Sequence, residues 1–353
     1  MPDANKRPSP RTLPHPACPL CSEEGSVFHA VVRDRAHGVL GKWSIRSCRR
    51  CQIGWLDPQP IDEDVGLCYP SVYYTHTVGQ AGRQSAFGTP GLKGMVRDAI
   101  LAGRYGYNVP GVANGARRLG RLLGAVGPIR QRVAYTKDHS LAVWRSGGRL
   151  LDIGCGSGGY LRFARSLGWQ TYGLDPDPAA VEVARRSGAT VELGTLDTAT
   201  FPDAPFDAVT SMHSIEHARD PRHFLRQALA LLRPGGFFYL QTPNFSSLMH
   251  RRYGADWYGL EISRHLCFLT VSAMRTLLEE MGPWASLTVR SNPRRARREQ
   301  EQTIAMRREG SFEATTLFSR WDRIEMDAWS LIETVGNRAM SWGEELEVIG
   351  IKG

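Results

Sequence analysis

From residue 149 onward the chain alternates short apolar runs with stretches whose apolar residues recur every three or four positions. The runs 149–153, 170–174, 190–193, 207–212 and 237–241 are short and rich in branched and aromatic residues, so they predict strands. Between them Leu161, Ala164 and Leu167 mark one helix, 178–186 a second, and Phe224, Ala228 and Leu231 a third, ended by Pro234-Gly235-Gly236. A helix is predicted at 271–281, apolar at Met274, Leu277, Leu278 and Met281, with further strands at 286–290 and 346–351. Strands and helices in this alternation predict a doubly wound α/β sheet.

Upstream the rhythm differs. Residues 1–16 are Pro-rich and polar and read as a disordered lead-in. Residues 17–64 hold β-like pieces at 27–32 and 43–46, and an aromatic cluster follows at Tyr69, Tyr73 and Tyr74. Residues 65–137 are Gly-rich and basic, with helical patches at 95–101 and 116–123, and read as a helical connector or lid. The expected domains are therefore 17–64, 65–137 and 138–353, the last carrying an insertion at about 291–340.

Four of the seven cysteines form Cys18-Pro-Leu-Cys21 and Cys48-Arg-Arg-Cys51, two C-x-x-C pairs with 26 residues between them. Each pair can bend around one ion, and four thiolates complete the tetrahedron that Zn²⁺ favours. Two disulfides or a redox dithiol are the alternatives. The N-terminus has no apolar leader toward an oxidising compartment, and no strand–helix pattern surrounds either pair. A structural zinc ribbon is expected, its closed shell leaving no position for catalysis. Cys68, Cys155 and Cys267 read as ordinary buried thiols.

The chain has 353 residues, and its 42% hydrophobic and 22% charged fractions exclude wholesale disorder. No run approaches the length of a spanning helix, and a cytoplasmic protein is expected. The net charge of +9 is unevenly placed: residues 65–137 hold ten Lys/Arg and one acid, Asp98, whereas 138–289 hold 14 Arg against 15 acids. The basic connector is read as a wall facing an anionic acceptor or membrane headgroups, against the plainer reading of scattered, solvated arginines.

Residues 152–159 read DIGCGSGG, and Gly154, Gly156 and Gly159 satisfy G-x-G-x-x-G after a strand and before a helix. That match alone admits NAD as readily as other adenosine cofactors. Asp175, 21 residues after Gly154, can accept both ribose hydroxyl protons. Asp152 decides between cofactors. A carboxylate there repels a pyrophosphate but suits the α-ammonium of S-adenosylmethionine (SAM); the plainer reading is that it braces the loop.

On these blocks, together with Phe206-Asp207-Ala-Val209, Glu216-His217-Ala-Arg-Asp-Pro221, Leu232-Arg-Pro-Gly-Gly236 and Thr242-Pro-Asn244, residues 149–282 resemble class I SAM-dependent methyltransferases. The resemblance implies a Rossmann-like seven-stranded sheet. It implies SAM contacts from Asp152, Gly154, Cys155, Gly156, Gly158, Asp175, Leu196, Met212 and His213. The cysteine pairs, with Asp256-Trp257 and Arg264-His265, are similar to a bacterial subgroup tied to polysaccharide, cell-envelope or natural-product pathways. Zinc-ribbon sugar C-methyltransferases share the front end and carry a further C-terminal domain.

The proton of the acceptor needs a base, and Glu216, His217 and His265 are the catalytic candidates, with His217 or His265 as base. Metal-dependent O-methyltransferases of the family carry E-x-x-E-H, where this chain reads His213-Ser-Ile-Glu216-His217. Replacing the first acid by His weakens the case for Mg²⁺ and makes a catalytic divalent metal the lesser reading. Scaffolding by Glu216, His217 and the Arg264-His265 pair is the plain alternative. Arg251, Arg252 and Tyr253 with Trp257 and Tyr258 suit a sugar bearing a phosphate, or simply pack as a loop. The run 294–298 reads as a solvated helix surface. The expected function is O-methylation of a small-metabolite or sugar hydroxyl, the acceptor anionic or lipid-linked and peripheral membrane contact allowed. The rivals are an RNA 2′-O-methyltransferase, though no dedicated nucleic-acid motif supports it, a sugar C-methyltransferase, and an inactive zinc-ribbon binding protein.

Overall fold

A computed structural model describes residues 9–69, 91–126, 147–186, 188–310 and 317–353. Tyr73, Tyr74 and the expected boundary at 137/138 lie outside these residues.

The N-terminal strands are β1 (Thr12–Leu13), β2 (Ser26–Val32), β3 (Trp43–Cys48), β4 (Ile53–Asp57) and β5 (Gln59–Pro60). Helices α1 (Leu92–Arg104) and α2 (Asn114–Ala125) follow. The alternating part then runs β6 (Arg149–Ile153), α3 (Gly159–Ser166), β7 (Gln170–Asp175), α4 (Pro178–Arg185), β8 (Thr190–Leu193), β9 (Phe206–Met212), α5 (Pro221–Ala230) and β10 (Leu232–Pro243). The chain ends with α6 (Leu248–Tyr253), β11 (Cys267–Phe268), α7 (Val271–Glu280), β12 (Trp284–Asn292), α8 (Ala296–Glu309), α9 (Arg320–Met340) and β13 (Glu345–Lys352).

Seven strands form one sheet in the order β12-β13-β10-β9-β6-β7-β8. β6 pairs in parallel with β7 on one side and β9 on the other. The strand order therefore reverses beside β6, the place where open α/β sheets bind ligands at the carboxyl ends of their strands. One expectation is corrected. Pro234, Gly235 and Gly236 do not stop a helix, because α5 has already ended at Ala230 and β10 begins at Leu232. A proline is tolerated in the first residues of a strand, which is where Pro234 lies.

By contact the chain divides into two compact units. One comprises residues 1–73, 212–226 and 240–349, the other 74–211, 227–239 and 350–353. The bounds 17–64, 65–137 and 138–353 divide the chain by composition; contact divides it along other lines.

In the first unit a second sheet has the order β11-β4-β3-β2. Cys267 pairs with Trp55 and Phe268 with Gly54, so a late segment completes the cysteine-bearing sheet. Its core joins Trp43, Ile45 and Leu56 to Phe245, Met249, Trp257, Leu266 and Phe268. Burying these aromatic and branched side chains is worth roughly 1.5–3 kcal/mol each and fuses the N-terminal strands to residues 245–268.

In the second unit α1 and α2 form a hairpin whose close approach depends on glycine. A Cβ on Gly120 would lie 1.8 Å from the Ala99 carbonyl oxygen, and one on Gly103 2.0 Å from that of Arg117. The segment after α1 is anchored by Tyr107, whose hydroxyl accepts from Trp169 Nε1 at 3.3 Å. Gly120→Val should therefore destabilise the protein by about 1–3 kcal/mol through overpacking, read as a lowered urea midpoint. An unchanged midpoint would show that the helices separate without cost.

Candidate functional site

In the unit that holds the glycine loop, Gly154, Gly156 and Gly158 follow β6 with φ of 76°, 51° and 74°. This left-handed geometry strains any residue with a Cβ. The Gly154 and Cys155 N–H groups donate to the Leu174 carbonyl at 2.7 and 3.1 Å, tying the turn to β7. The Gly156 N–H donates to Asp175 Oδ2 at 2.7 Å, and the Asp177 N–H to Oδ1 at 3.0 Å. The two bonds fix this carboxylate at the end of β7, the place expected for a ribose acceptor.

Asp152 is 2% exposed and accepts from Thr210 Oγ1 at 2.7 Å. Burial, with the nearby Asp175 charge adding to it, pushes its pKa up to about 7 against the opposing Thr210 bond. A buried carboxyl so raised suits a cationic ligand group, and the residues present therefore fit SAM. Cys155 contributes its backbone, since its sulfur is turned toward β7, where a Cβ on Gly173 would meet it at 2.7 Å. The Leu196 carbonyl takes a bond from Gln227 Nε2 at 3.4 Å, which does not use the N–H assigned to the adenine.

In the other unit Glu216, His217 and His265 come together: one donor atom from each lies within 4.8 Å of the others. His217 Nδ1 is 3.0 Å from the Arg264 carbonyl and His265 Nδ1 3.0 Å from the Gly259 carbonyl. A carbonyl only accepts, so both rings carry a proton on Nδ1, and Nε2 is the nitrogen left to bind a proton or a cation. The Tyr69 hydroxyl lies 3.1 Å from His217 Nδ1, a contact unseen in a sequence where Tyr69 was only part of an aromatic cluster. Burial lowers the His265 pKa to about 4 and keeps the ring neutral.

Glu216 Oε2 accepts from Thr242 Oγ1 at 2.9 Å, while the buried Oε1 has no hydrogen-bond partner. Oε1 stands 3.9 Å from His265 Nε2 and 3.3 Å from His213 Nδ1. Burial works to raise the Glu216 pKa, but the His213 bond and the histidine charges override it and hold the group at about 2.

Met212 ends β9, and His213 follows it at a φ of 52°. The ring is held by two carboxylates, with Nε2 3.3 Å from Glu345 Oε1. Burial and the Arg295 charge work to lower its pKa, yet the bonds to Glu216 and Glu345 raise it to about 10. Arg295 Nη1 meets the same Glu345 oxygen at 2.8 Å. Glu345 and Arg295, absent from the expected site, thus anchor a residue that was read as a SAM contact.

The loop carrying His265 is held by Arg264, whose side chain is wholly buried. Its Nη1 donates to Asp34 Oδ2 at 2.9 Å and its Nη2 to Oδ1 at 3.3 Å, while Nε donates to Glu261 Oε2 at 3.2 Å. Glu261 and Ser263 take positive φ of 29° and 78°, a strain that the buried ion cluster stabilises.

At the cysteines the four sulfurs lie within 4.8 Å of one another, all unbridged. Cys21 and Cys48 Sγ are 3.8 Å apart. A tetrahedron with Zn–S bonds of about 2.3 Å has edges of about 3.8 Å. The two knuckles repeat one turn: Ser22 N–H donates to Cys18 O at 2.9 Å and Gln52 N–H to Cys48 O at 2.8 Å. Burial pushes the Cys18 thiol up to about 11, so a thiolate there calls for a cation. The donor set fits a structural zinc.

Of the two readings of the 251–258 segment, Arg252 and Trp257 follow the packing one, and the solvated reading of 294–298 is corrected in part. Arg252 bonds Gln300 and Glu325 and stacks on Trp329, and Trp257 Nε1 donates to Glu299 at 3.0 Å, so these groups serve packing. In the run 294–298, Arg295 and Arg297 are paired, the latter with Glu301 and Asp327, and Ala296 is buried.

Residues 129–282 match a family model described as a methyltransferase domain. The chain carries a methyltransferase domain. Ubiquinone biosynthesis O-methyltransferases from Xanthomonas euvesicatoria and Methylocella silvestris are 35% identical over 129 residues and 38% over 133. The alignments cover 35% and 32% of this chain and 52% of each relative, so the chain spans about half the length of the curated relatives it matches. Among solved structures, a SAM-dependent methyltransferase from Archaeoglobus fulgidus aligns over 65% of this chain and 93% of its own, with 18% identity and a TM-score of 0.41.

Two measurements follow for this methyltransferase domain and its histidine loop. Protonated Asp152 attracts the SAM ammonium poorly, so affinity should rise as the group ionises through a pKa of about 7. Between pH 6 and 7, below the range where an α-amino group titrates, Kd should fall about fivefold by calorimetry. Asp152→Asn should bind weakly with no such dependence; a flat wild-type profile would remove the ion pair. Separately, Arg264→Met leaves Asp34 and Glu261 buried without their cation and should cost about 3–5 kcal/mol in urea unfolding.

Proposed function

We propose that the protein is a SAM-dependent O-methyltransferase acting on a small-molecule hydroxyl, with a structural zinc in the four-cysteine site. The observation that supports it most is the pair of imidazoles around buried Glu216, each with Nδ1–H held by a carbonyl and Nε2 left for other partners. A sulfonium methyl is already activated, so the protein's task is to orient the acceptor, exclude water and accept one proton. His217 Nε2 takes the hydroxyl proton as the oxygen–methyl bond forms. Bound SAM would supply the methyl group and keep the electron pair of its carbon–sulfur bond. His265, with a pKa of about 4, is too weak a base for this and instead orients the acceptor hydroxyl beside Glu216. The relatives' names speak for O-methylation and lend nothing to the expected sugar or cell-envelope acceptor or to RNA.

A second reading has its own observation, the buried Glu216 Oε1, which lies 3.3 Å from His213 Nδ1 and 3.9 Å from His265 Nε2. Glu216, His217 and His265 fit a divalent cation, and two imidazoles with one carboxylate suit Zn²⁺, Mn²⁺ or Fe²⁺ better than Mg²⁺. Such an ion would supply Lewis acidity to the acceptor oxygen.

His217→Ala should keep SAM affinity by calorimetry and lower kcat by about 10²–10⁴-fold. Normal turnover in that variant would end its assignment as base. Treatment with a chelator that leaves the cysteine-bound metal in place separates the readings: turnover persists if His217 acts alone, and falls and returns with added Mn²⁺ or Zn²⁺ if an ion is required.

A further inference from the structure

Helix α9 presents to solvent a face that methyl transfer does not use. On its inner side Met326 and Glu333 are buried, and Gln300 of α8 donates to the Met326 carbonyl at 3.3 Å and to Ser330 Oγ at 3.0 Å. Trp329 carries the Arg252 guanidinium 4.5 Å from its ring centre. The helix starts on a capping box, in which the Asp322 N–H donates to Ser319 Oγ at 3.1 Å and the Ser319 N–H to Asp322 Oδ2 at 2.8 Å. These contacts fix α9 from one side and at its first turn.

The opposite side is apolar and bare. Trp321, Ile324, Ala328, Leu331 and Val335 follow one another at intervals of three and four residues, the spacing of a coiled-coil seam, with Ile332 beside them. At about 100° per residue, all of them lie within about 60° of Ala328 on the helix surface, whereas Met326 and Glu333 lie about 140–160° away. Trp321, Leu331 and Val335 are 78%, 64% and 65% exposed, and Ile324 and Ile332 48% and 45%. Such fractions put the stripe at roughly 600 Å², the upper limit of the apolar patch a monomer usually leaves bare. Two such stripes bury about 1,200 Å², enough for a stable interface.

We propose that α9 is a self-association surface: two copies of the chain pair their α9 stripes antiparallel about a two-fold axis at Ala328. The order of residues selects this occupant. Apolar residues stand seven and four positions before Ala328 (Trp321, Ile324) and four and seven after it (Ile332, Val335). An antiparallel copy therefore sets Trp321 of one chain against Val335 of the other, and Ile324 against Ile332, each contact occurring twice. The largest side chain meets a smaller one at both ends, and the smallest residue stands where the helices cross, which lets them approach. A parallel copy would set Trp321 against its equal. A partner of unrelated sequence has no use for this symmetry, and the rim acids Glu325 and Asp327 disfavour an anionic lipid surface. Those acids bond Arg252 and Arg297 of the same chain, so pairing leaves neither carboxylate without its cation. The inference stands on α9 alone and survives failure of the O-methyltransferase reading.

Sedimentation equilibrium of the full chain is expected to show a monomer–dimer equilibrium in the micromolar range. Ala328→Glu places a good helix former at the crossing point and should weaken the dimer at least about 30-fold, with far-ultraviolet circular dichroism unchanged. Trp321→Ala should weaken it by a similar factor. Under mild oxidation Ala328→Cys should give a covalent dimer absent from wild type. Val335→Cys should not, because antiparallel pairing holds the two copies of that residue about 21 Å apart along the axis. The proposal is overturned if wild type stays a monomer up to about 0.1 mM, since the stripe then belongs to another segment of this chain or to a different protein. It is also overturned if the folded variants dimerise as wild type does, or if Val335→Cys cross-links in place of Ala328→Cys.

Discussion

The unit that carries the histidines depends on one buried guanidinium. Arg264 joins Asp34, which lies just beyond β2, to Glu261 in its own loop, and donates a further bond to the Cys68 carbonyl at 3.1 Å. Its own carbonyl fixes the tautomer of His217, while the next residue but one, Leu266, donates its N–H to the Glu216 carbonyl at 2.7 Å. Burying such ions costs several kcal/mol in desolvation, and apolar residues of like volume would serve stability at least as well. What the cluster supplies is direction. Two carboxylates fix one guanidinium plane, and that plane fixes where the backbone turns.

The charges around Glu216 then follow as a sequence of protonation states. The His213 pKa is raised by two carboxylates, Glu216 is held ionised, and His265 is held neutral by burial. Three titratable groups in contact thus hold separate roles at neutral pH, each set by what the second nitrogen or oxygen touches. The glycine-loop unit follows the same logic with one group, since Asp152 remains on the edge of ionisation without a cation.

How much of this was legible in the sequence depends on range. Strands β6 to β9, the loop at Gly154–Gly156–Gly158 and the acid Asp175 are local signals, and the structure places them as read. The cysteine pairs were legible for the same reason, each being a self-contained turn. Asp34, Arg295 and Glu345 were not, because each meets its partner tens to hundreds of residues away and is an ordinary polar residue in its own neighbourhood. His213 shows the limit most clearly. Its place after β9 suggested a ligand contact, and only tertiary neighbours reveal that both nitrogens face acids. Pro234-Gly235-Gly236 shows a local rule giving way, because a helix had ended before the punctuation meant to end it.

The pairing of β4 with β11 has a consequence for biogenesis. Trp55 finds its partner at Cys267, so the N-terminal sheet leaves the ribosome with one edge unsatisfied. At ordinary elongation rates that edge waits for roughly 10–40 s before its last strand is synthesised. During that interval an exposed edge beside apolar side chains invites capture by another nascent chain.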